Sequence, residues 1–541
     1  MPNHIKKILL PENLKKFIFP VSIIILASLA ALGSSPFYLT NPWDDSNAML
    51  TMGRSFLHGI LPFKDAVDQR GPFLYFIFAI AALIKNNSFL GVYIVELINI
   101  LVVYYFTYRI VKIMTPDGSK QPWIAIIGPI VLFGTSAFYL GGAPEEFAFT
   151  SVLYLLFTIV RSNYDLLRIQ TKQLAFIGLN FGFVFWNKYS MIGPFIVFFI
   201  LLTFYSVKKI SLKDYFLKLV LPIFIGFSLV SAIILFFFVL SNGLNDLIQV
   251  YFVQNMAYGN TPSPFLFRYI ASIAYIAAIV GMHTYVLIIL AIGWFLGIKN
   301  SQNIFPEIII FIGSILIMAI PRQYTDYYNL IWLPLLVFAL IRIVNSLLNS
   351  KVETLHFNNK NRFFAVLATV LVVFLPFVNN TQLGRLIVKG TDKAADYGNR
   401  NSQELFAKIM LQKTNSAKPS LVMLNSLDDG FFLATQSLPT TRFWHKLNMT
   451  PKQMPEMYAD FNETLSKQKV QFVVIRLKER PATSVKLLKE QIKHEVDPSL
   501  VKNLECNYDI SAISANRDNL GYVLLQSKEM DKSQYYISKL N

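Results

Sequence analysis

The groups able to do chemistry in this chain are gathered in a few places. The densest gathering spans residues 41–75, NPWDDSNAMLTMGRSFLHGILPFKDAVDQRGPFLY, with Asp44, Asp45, Arg54, Lys64, Asp65, Asp68 and Arg70 among turn residues. Further groups stand beside apolar runs: Glu145 and Glu146 after GGAP, Lys188 between two apolar stretches, and Arg322, Asp326, Tyr327 and Tyr328 in RQYTDYY. Ionisable side chains at the mouth of a helix bundle are costly, and membrane proteins that keep them use them. A carboxylate can take the proton from an attacking hydroxyl. Arg and Lys can neutralise a phosphate leaving group. Carboxylates can also hold a divalent cation through oxygen ligands. Such a set suits a reaction on a phosphorylated, lipid-linked substrate.

The elements that position these groups are apolar. The chain has 541 residues, 54% of them hydrophobic, with 47 Phe. A soluble domain does not carry that load, and the apolar runs are long enough for a hydrocarbon core of roughly 30 Å. The fold class expected is an α-helical polytopic membrane protein of about 11 transmembrane helices, followed by a small C-terminal extracytoplasmic α/β domain. One cysteine, Cys506, excludes an intrachain disulfide and a cysteine-built metal site. The net charge of +17 does not signal nucleic acid, because most bases sit in short loops between apolar runs, where they set topology.

Lys6, Lys7, Lys15 and Lys16 precede a first, uncleaved helix at 17–33, so the N-terminus is expected in the cytoplasm and the loop 35–86 outside. Residues 44–58 read as an amphipathic helix along the membrane surface, ended by Gly59 and Pro62. The apolar run 73–84 is short for a crossing and belongs to the same loop. Spans at 91–114, 123–140, 147–160, 173–186, 191–205 and 219–240 then alternate, leading to a second external loop at 241–264. Spans at 269–298, 304–320, 330–344 and 363–377 follow. This arrangement puts Lys112, Arg161, Lys172 and Lys213 inside, and every candidate group named above outside. Counting 73–84 as a crossing would invert that order. The membrane domain is expected over 1–380 and the external domain over 381–541. The latter has strands at 420–425 and 470–476, helices at 403–411 and 483–494, and a final hairpin at 508–526. Sparse sorting signals fit a bacterial plasma membrane.

The first loop resembles that of the GT-C glycosyltransferases, in the branch holding protein O-mannosyltransferases and the lipid A aminoarabinose transferase. The matching residues are Asp44-Asp45, then Gly59-Ile-Leu-Pro-Phe-Lys-Asp65, then Asp68-Gln-Arg70-Gly71-Pro72. Pro144-Glu145-Glu146, Lys188, and Tyr327-Tyr328 through Pro334 match later elements in the same order; Tyr327 stands where the family commonly has His. The resemblance covers roughly residues 17–345. It implies an inverting transfer from a polyprenyl-phosphate sugar donor to a hydroxyl acceptor of the cell envelope at the outer face of the bilayer. It implies Asp44 as general base or acceptor-positioning acid, with Asp45 and Glu145 as the other candidate catalytic acids, Glu145 assisting the site or binding a divalent cation. Arg70 and Lys188 would bind the donor phosphate. Asp68, Glu146, Arg322, Tyr327 and Tyr328 would line the substrate.

Each residue also has a plainer use. Asp44 and Asp45 suit a helix cap, and Glu145 and Glu146 suit the first turn after Pro144. Arg70 and Lys188 can snorkel, and Tyr327 and Tyr328 can be interface aromatics. Asp428-Asp429-Gly430 reads as a turn. Two rival functions remain: a transporter or flippase of lipid-linked sugars, and a non-catalytic envelope assembly protein. A transporter keeps its charges near the bilayer midplane, often in matching halves. Here they gather at one face, with Glu96 as an exception.

Overall fold

The structure is a computed structural model. It describes residues 12–38, 41–116, 118, 120–207, 209–258, 263–320, 325–349, 380–384, 400–415, 417–515 and 521–530. The expected span 363–377, the bases Lys6 and Lys7, and Arg322 lie outside these residues.

The chain is mostly helical and multi-pass. Among the described residues, four helices are long and apolar enough to cross a membrane on their own: 14–31 within α1 (Glu12–Ala31), α4 (Leu90–Met114), Leu212–Leu240 and Phe265–Met282. A fifth arises if the bent pair Thr171–Met191 and Gly193–Ser206 forms one span. Shorter apolar helices follow the last of them: Thr284–Lys299, Phe305–Met318 and Pro334–Asn349. The helix Leu212–Leu240 exposes Phe224, Ile225, Leu229, Ile233, Phe236 and Leu240, the residue types that face lipid.

The first loop is built of two helices. α2 (Asp44–Leu57) and α3 (Pro72–Ile84) lie against each other, so closely that a Cβ on Gly53 would come within 2.4 Å of the Phe78 backbone. α2 stops where Gly59 takes a positive φ of 80°. α3 has 13 residues and rises about 20 Å, too little for a hydrocarbon core. One expectation fails here. α2 does not lie open on a membrane surface; residues 46–55 are buried. Its polar side chains are satisfied by the C-terminal segment: Thr51 donates to Asp428 at 2.7 Å, and Arg54 to the Phe432 carbonyl at 3.3 Å.

Two expected spans are broken. Residues 123–140 form α5 (Gln121–Ile124), α6 (Ile127–Phe133) and a 3₁₀ turn at Ser136–Phe138. Pro129 has no N–H for the Ala125 carbonyl, which bonds Gly128 instead at 3.3 Å. Residues 269–298 divide at His283, whose ring is held by Asp326 at 2.7 Å. α7 (Pro144–Arg161), α8 (Thr171–Lys188) and α9 (Gly193–Ser206) form close to where periodicity puts them.

Four strands follow: β1 (Leu421–Leu424), β2 (Phe472–Leu477), β3 (Tyr508–Ala515) and β4 (Gly521–Ser527). The sheet order is β1-β2-β4-β3, with β1 and β2 parallel and the other pairs antiparallel. Helices Arg400–Lys413, Pro455–Ser466, Val485–Glu495 and Pro498–Asn507 surround it; the second and fourth escaped sequence reading. This α/β unit is docked. One apolar core joins Phe431, Phe432, Trp444 and the sheet to Ala48, Met52, Phe63, Val67 and Tyr75 of the first loop, and to Trp186 and Tyr251. Val67 N–H bonds the Arg442 carbonyl at 2.8 Å, and Arg442 pairs with Asp246 at 3.1 Å.

Candidate active site

Three chain segments meet at one junction. Gly71 N–H donates to the Asn187 carbonyl at 3.2 Å, and the Asn187 amide donates to the Pro144 carbonyl at 3.1 Å. The loop before α3 is thereby fixed to the end of α8 and the start of α7. A Cβ at Gly71 would lie 2.2 Å from the Trp186 carbonyl oxygen, so only glycine permits this approach. The junction brings Arg70, Lys188 and Glu145 to the same place.

Arg70 is charge-balanced within the first loop. One guanidinium nitrogen contacts both Asp68 oxygens at 2.7 Å, and another reaches Asp45. Its backbone N–H donates to the Tyr75 hydroxyl at 3.0 Å. Two carboxylates hold the guanidinium protonated against the cost of burial. Lys188 donates to Glu145 at 2.5 Å and lies 4.0 Å from the centre of the Tyr328 ring and 5.4 Å from that of Tyr327. A cation over two phenol rings is stabilised by their quadrupoles. Tyr327 also meets Trp43 edge-on, its ring centre 5.7 Å away. Among the described residues, the second carboxyl oxygen of Glu145 is buried without a hydrogen-bond partner.

Asp44 stands apart from the Arg70 pairings. Its side chain is 32% exposed and faces Arg476 of β2 at 3.5 Å. Arg476 also pairs with Asp429 at 3.3 Å. The protein packed around Asp44, and then the nearby carboxylates of Asp45 and Asp429, push its pKa up to about 7. Burial likewise raises Asp428 and Asp429 to about 6. Neither Asp44 nor Asp45 is the helix cap. The N-cap residue of α2 is Trp43, with no side-chain cap, and Asn41 accepts from the Trp43 N–H at 3.0 Å.

Not every predicted residue joins this cluster. Glu146 turns the other way, accepting from Gly142 N–H at 2.8 Å and from Asn99 at 3.2 Å, next to buried Glu96, which Ser34 contacts. Asp326 is held by His283 and Asn329, and these partners keep its carboxyl below the usual range despite burial. The cation site expected from the carboxylates finds no matching donor set. Asp45, Asp68 and Glu145 are each engaged by Arg70 or Lys188, and among the described residues no three metal-ligating side chains converge.

Sequence reading missed three residues of the α/β unit. Arg476 and Asp429 flank Asp44. His445 is fully buried, stacked on Trp444 with ring centres 3.8 Å apart, and among the described residues neither ring nitrogen has a hydrogen-bond partner. Burial and then the charge of Arg70 keep this imidazole neutral. The legible signal was the acidic pair Asp428-Asp429 before Gly430.

No family model matches the chain, and no curated protein matches it by sequence. Among solved structures, ArnT from Cupriavidus metallidurans superposes with a TM-score of 0.54 at 12% identity, over 94% of this chain and 97% of that one. The arabinofuranosyltransferase AftD from Mycobacteria gives a TM-score of 0.41 at 10% identity, over 94% of this chain and 41% of its own. With nearly the whole of both chains superposed, this chain has the fold of ArnT.

Proposed function

We propose that the protein is an inverting glycosyltransferase that moves a sugar from a polyprenyl-phosphate donor to a hydroxyl acceptor of the cell envelope, at the outer face of the plasma membrane. The observation that carries this reading is a chain of charges: Asp44, partly exposed and titrating near neutrality, accepts from the Asp45 N–H, Asp45 pairs with half-buried Arg70, and Lys188 pairs with Glu145 at the junction beside that loop. Asp44 is the general base, because a pKa near the working pH gives both a deprotonated fraction and a driving force for proton uptake. The acceptor oxygen attacks the anomeric carbon as its proton passes to Asp44, and the bond to the donor phosphate breaks. Arg70 and Lys188 neutralise the leaving phosphate. Their carboxylate partners keep them charged while buried, and the phosphate takes over part of that role when the donor binds. Asp45, Asp68 and Glu145 orient these bases, and Tyr327 and Tyr328 shape the site around Lys188.

The test uses full-length protein in nanodiscs with a panel of radiolabelled polyprenyl-phosphate sugars and envelope extract as acceptor source. Wild type releases polyprenyl phosphate and labels the extract; Asp44→Asn does neither, at an unchanged melting temperature. Transfer at the wild-type rate by Asp44→Asn would remove the assignment. Sidedness has its own check. Cys506 is exposed in the α/β unit and is the chain's single cysteine, so a membrane-impermeant maleimide should label it on intact cells. Labelling only after lysis would place the unit inside and break the topology.

A further inference from the structure

A cavity of about 580 Å³ lies between the α/β unit and the first loop, with Asp44 in its wall. It opens at the carboxyl ends of the parallel strands β1 and β2: Asn425 and Ser426 follow β1, while Arg476 and Leu477 end β2 and Lys478 follows it. Crevices outside the carboxyl ends of parallel strands are where open α/β sheets bind ligands, because the flanking loops diverge there. The rest of the lining mixes charged and polar Lys446, Asn448, Glu495 and Asp497 with apolar Leu427, Tyr458 and Val496. Among the described residues, the amines of Lys446 and Lys478 have no hydrogen-bond or ion-pair partner. The carboxylates opposite are already engaged: Glu495 by Lys478 N–H and Gln491, Asp497 by Ser499. Free donors and half-used acceptors of both charge signs, interspersed with apolar side chains and the Tyr458 ring, match a polyhydroxylated ligand whose rings carry both hydroxyls and C–H faces.

We infer that this cavity is the acceptor site, that the acceptor group is a saccharide unit of an envelope glycan, and that the α/β unit presents its hydroxyl to Asp44. The inference rests on the reading of Asp44 as general base. The volume admits one or two sugar rings. Lys446, Asn448 and Lys478 donate to ring hydroxyls, and Arg476 holds Asp44 at the cavity wall. In this arrangement the bilayer half of the protein carries the donor and the α/β unit carries the acceptor.

The experiment follows an isotopically labelled donor sugar in membranes from cells expressing the full-length protein. Asn448→Trp, at an exposed lining position, fills the cavity, and the double variant Lys446→Gln/Lys478→Gln removes the free donors without changing its volume. Each should lower incorporation by about tenfold or more while elution and melting temperature match wild type. The label should stay with material that resists protease and organic extraction and is released by glycan hydrolysis. Wild-type incorporation in the double variant overturns the inference, and so does label recovered in protein or in extractable lipid. If Asp44→Asn also incorporates normally, the general-base reading has failed. If Asp44→Asn is inactive while the cavity variants are normal, the acceptor site alone has failed.

Discussion

Two acid–base clusters lie at opposite ends of α7, whose 18 residues rise about 27 Å. At the far end, beyond Arg161, Arg342 and Glu307 are 1% and 2% exposed. Arg342 donates to Glu307 at 2.6 and 2.9 Å, to Tyr164 at 2.5 Å and to Gln302 at 2.8 Å. Glu307 also accepts from Tyr164 at 2.8 Å and from Trp294 at 3.2 Å. That cluster is closed, with both carboxylate oxygens and all three guanidinium nitrogens occupied. The near cluster is open: among the described residues, Glu145 keeps an unpaired oxygen, His445 two unpaired nitrogens, and Asp44 a third of its side chain in solvent. Burial of charge alone does not mark a site. What distinguishes the two is hydrogen-bonding capacity left unused at one and consumed at the other.

The contrast can be broken by substitution. Asp44→Asn should lower transfer by about 10²–10⁴-fold, the usual worth of a general base, and leave thermal unfolding unchanged. Arg342→Met should do the reverse. It strands Glu307, costs about 3–5 kcal/mol of stability, and leaves the specific activity of the folded fraction near wild type. Adding Glu307→Leu should restore much of that loss, because two well-packed apolar residues can replace a buried pair. Detergent thermal melts and activity per folded molecule measure both. Lys188→Met lies between these extremes. It should cost about 10²-fold in turnover through the lost phosphate contact, and some stability through the stranded Glu145. If Arg342→Met lowers activity more than stability, the far cluster is not the structural lock its geometry describes.

The near cluster was partly legible in the sequence. Charges standing in an apolar chain mark the loop 41–75, and the Gly71-Pro72 pair marks the close approach that puts Arg70 beside the end of α8. The shortness of α3 was legible from its apolar length alone. The break at Pro129 was written in the chain as well, though the apolar run around it reads as one span. The separation of Glu145 from Glu146 was not. Adjacent helical residues project about 100° apart, so which of the two faces Lys188 depends on how α7 is rotated by its packing. Arg476 and His445 were also invisible. They come from a strand and a loop of the α/β unit far along the chain from Asp44, and only docking of that unit brings them near. At Asp428-Asp429-Gly430, the Asp428 carboxylate accepts from the Gly430 N–H at 2.7 Å and Gly430 takes φ 92°, and the same segment covers α2 and holds Arg476.

The smallest effect tests the link between the two halves of the site. Arg476 lowers the pKa of Asp44, while Asp429 raises it and at the same time draws on Arg476. A general base works deprotonated, so kcat/KM should rise with pH through the pKa of Asp44, near 7. Arg476→Gln removes a cation 3.5 Å away, and the acid limb should move to higher pH by about one unit. Asp429→Asn removes a negative neighbour and frees Arg476 for Asp44, so the limb should move to lower pH. A purely structural role for the pair would lower the plateau without separating the two limbs. Limbs that shift in the same direction, or do not shift, would detach Asp44 from the titration and leave Arg476 as a docking contact of the α/β unit.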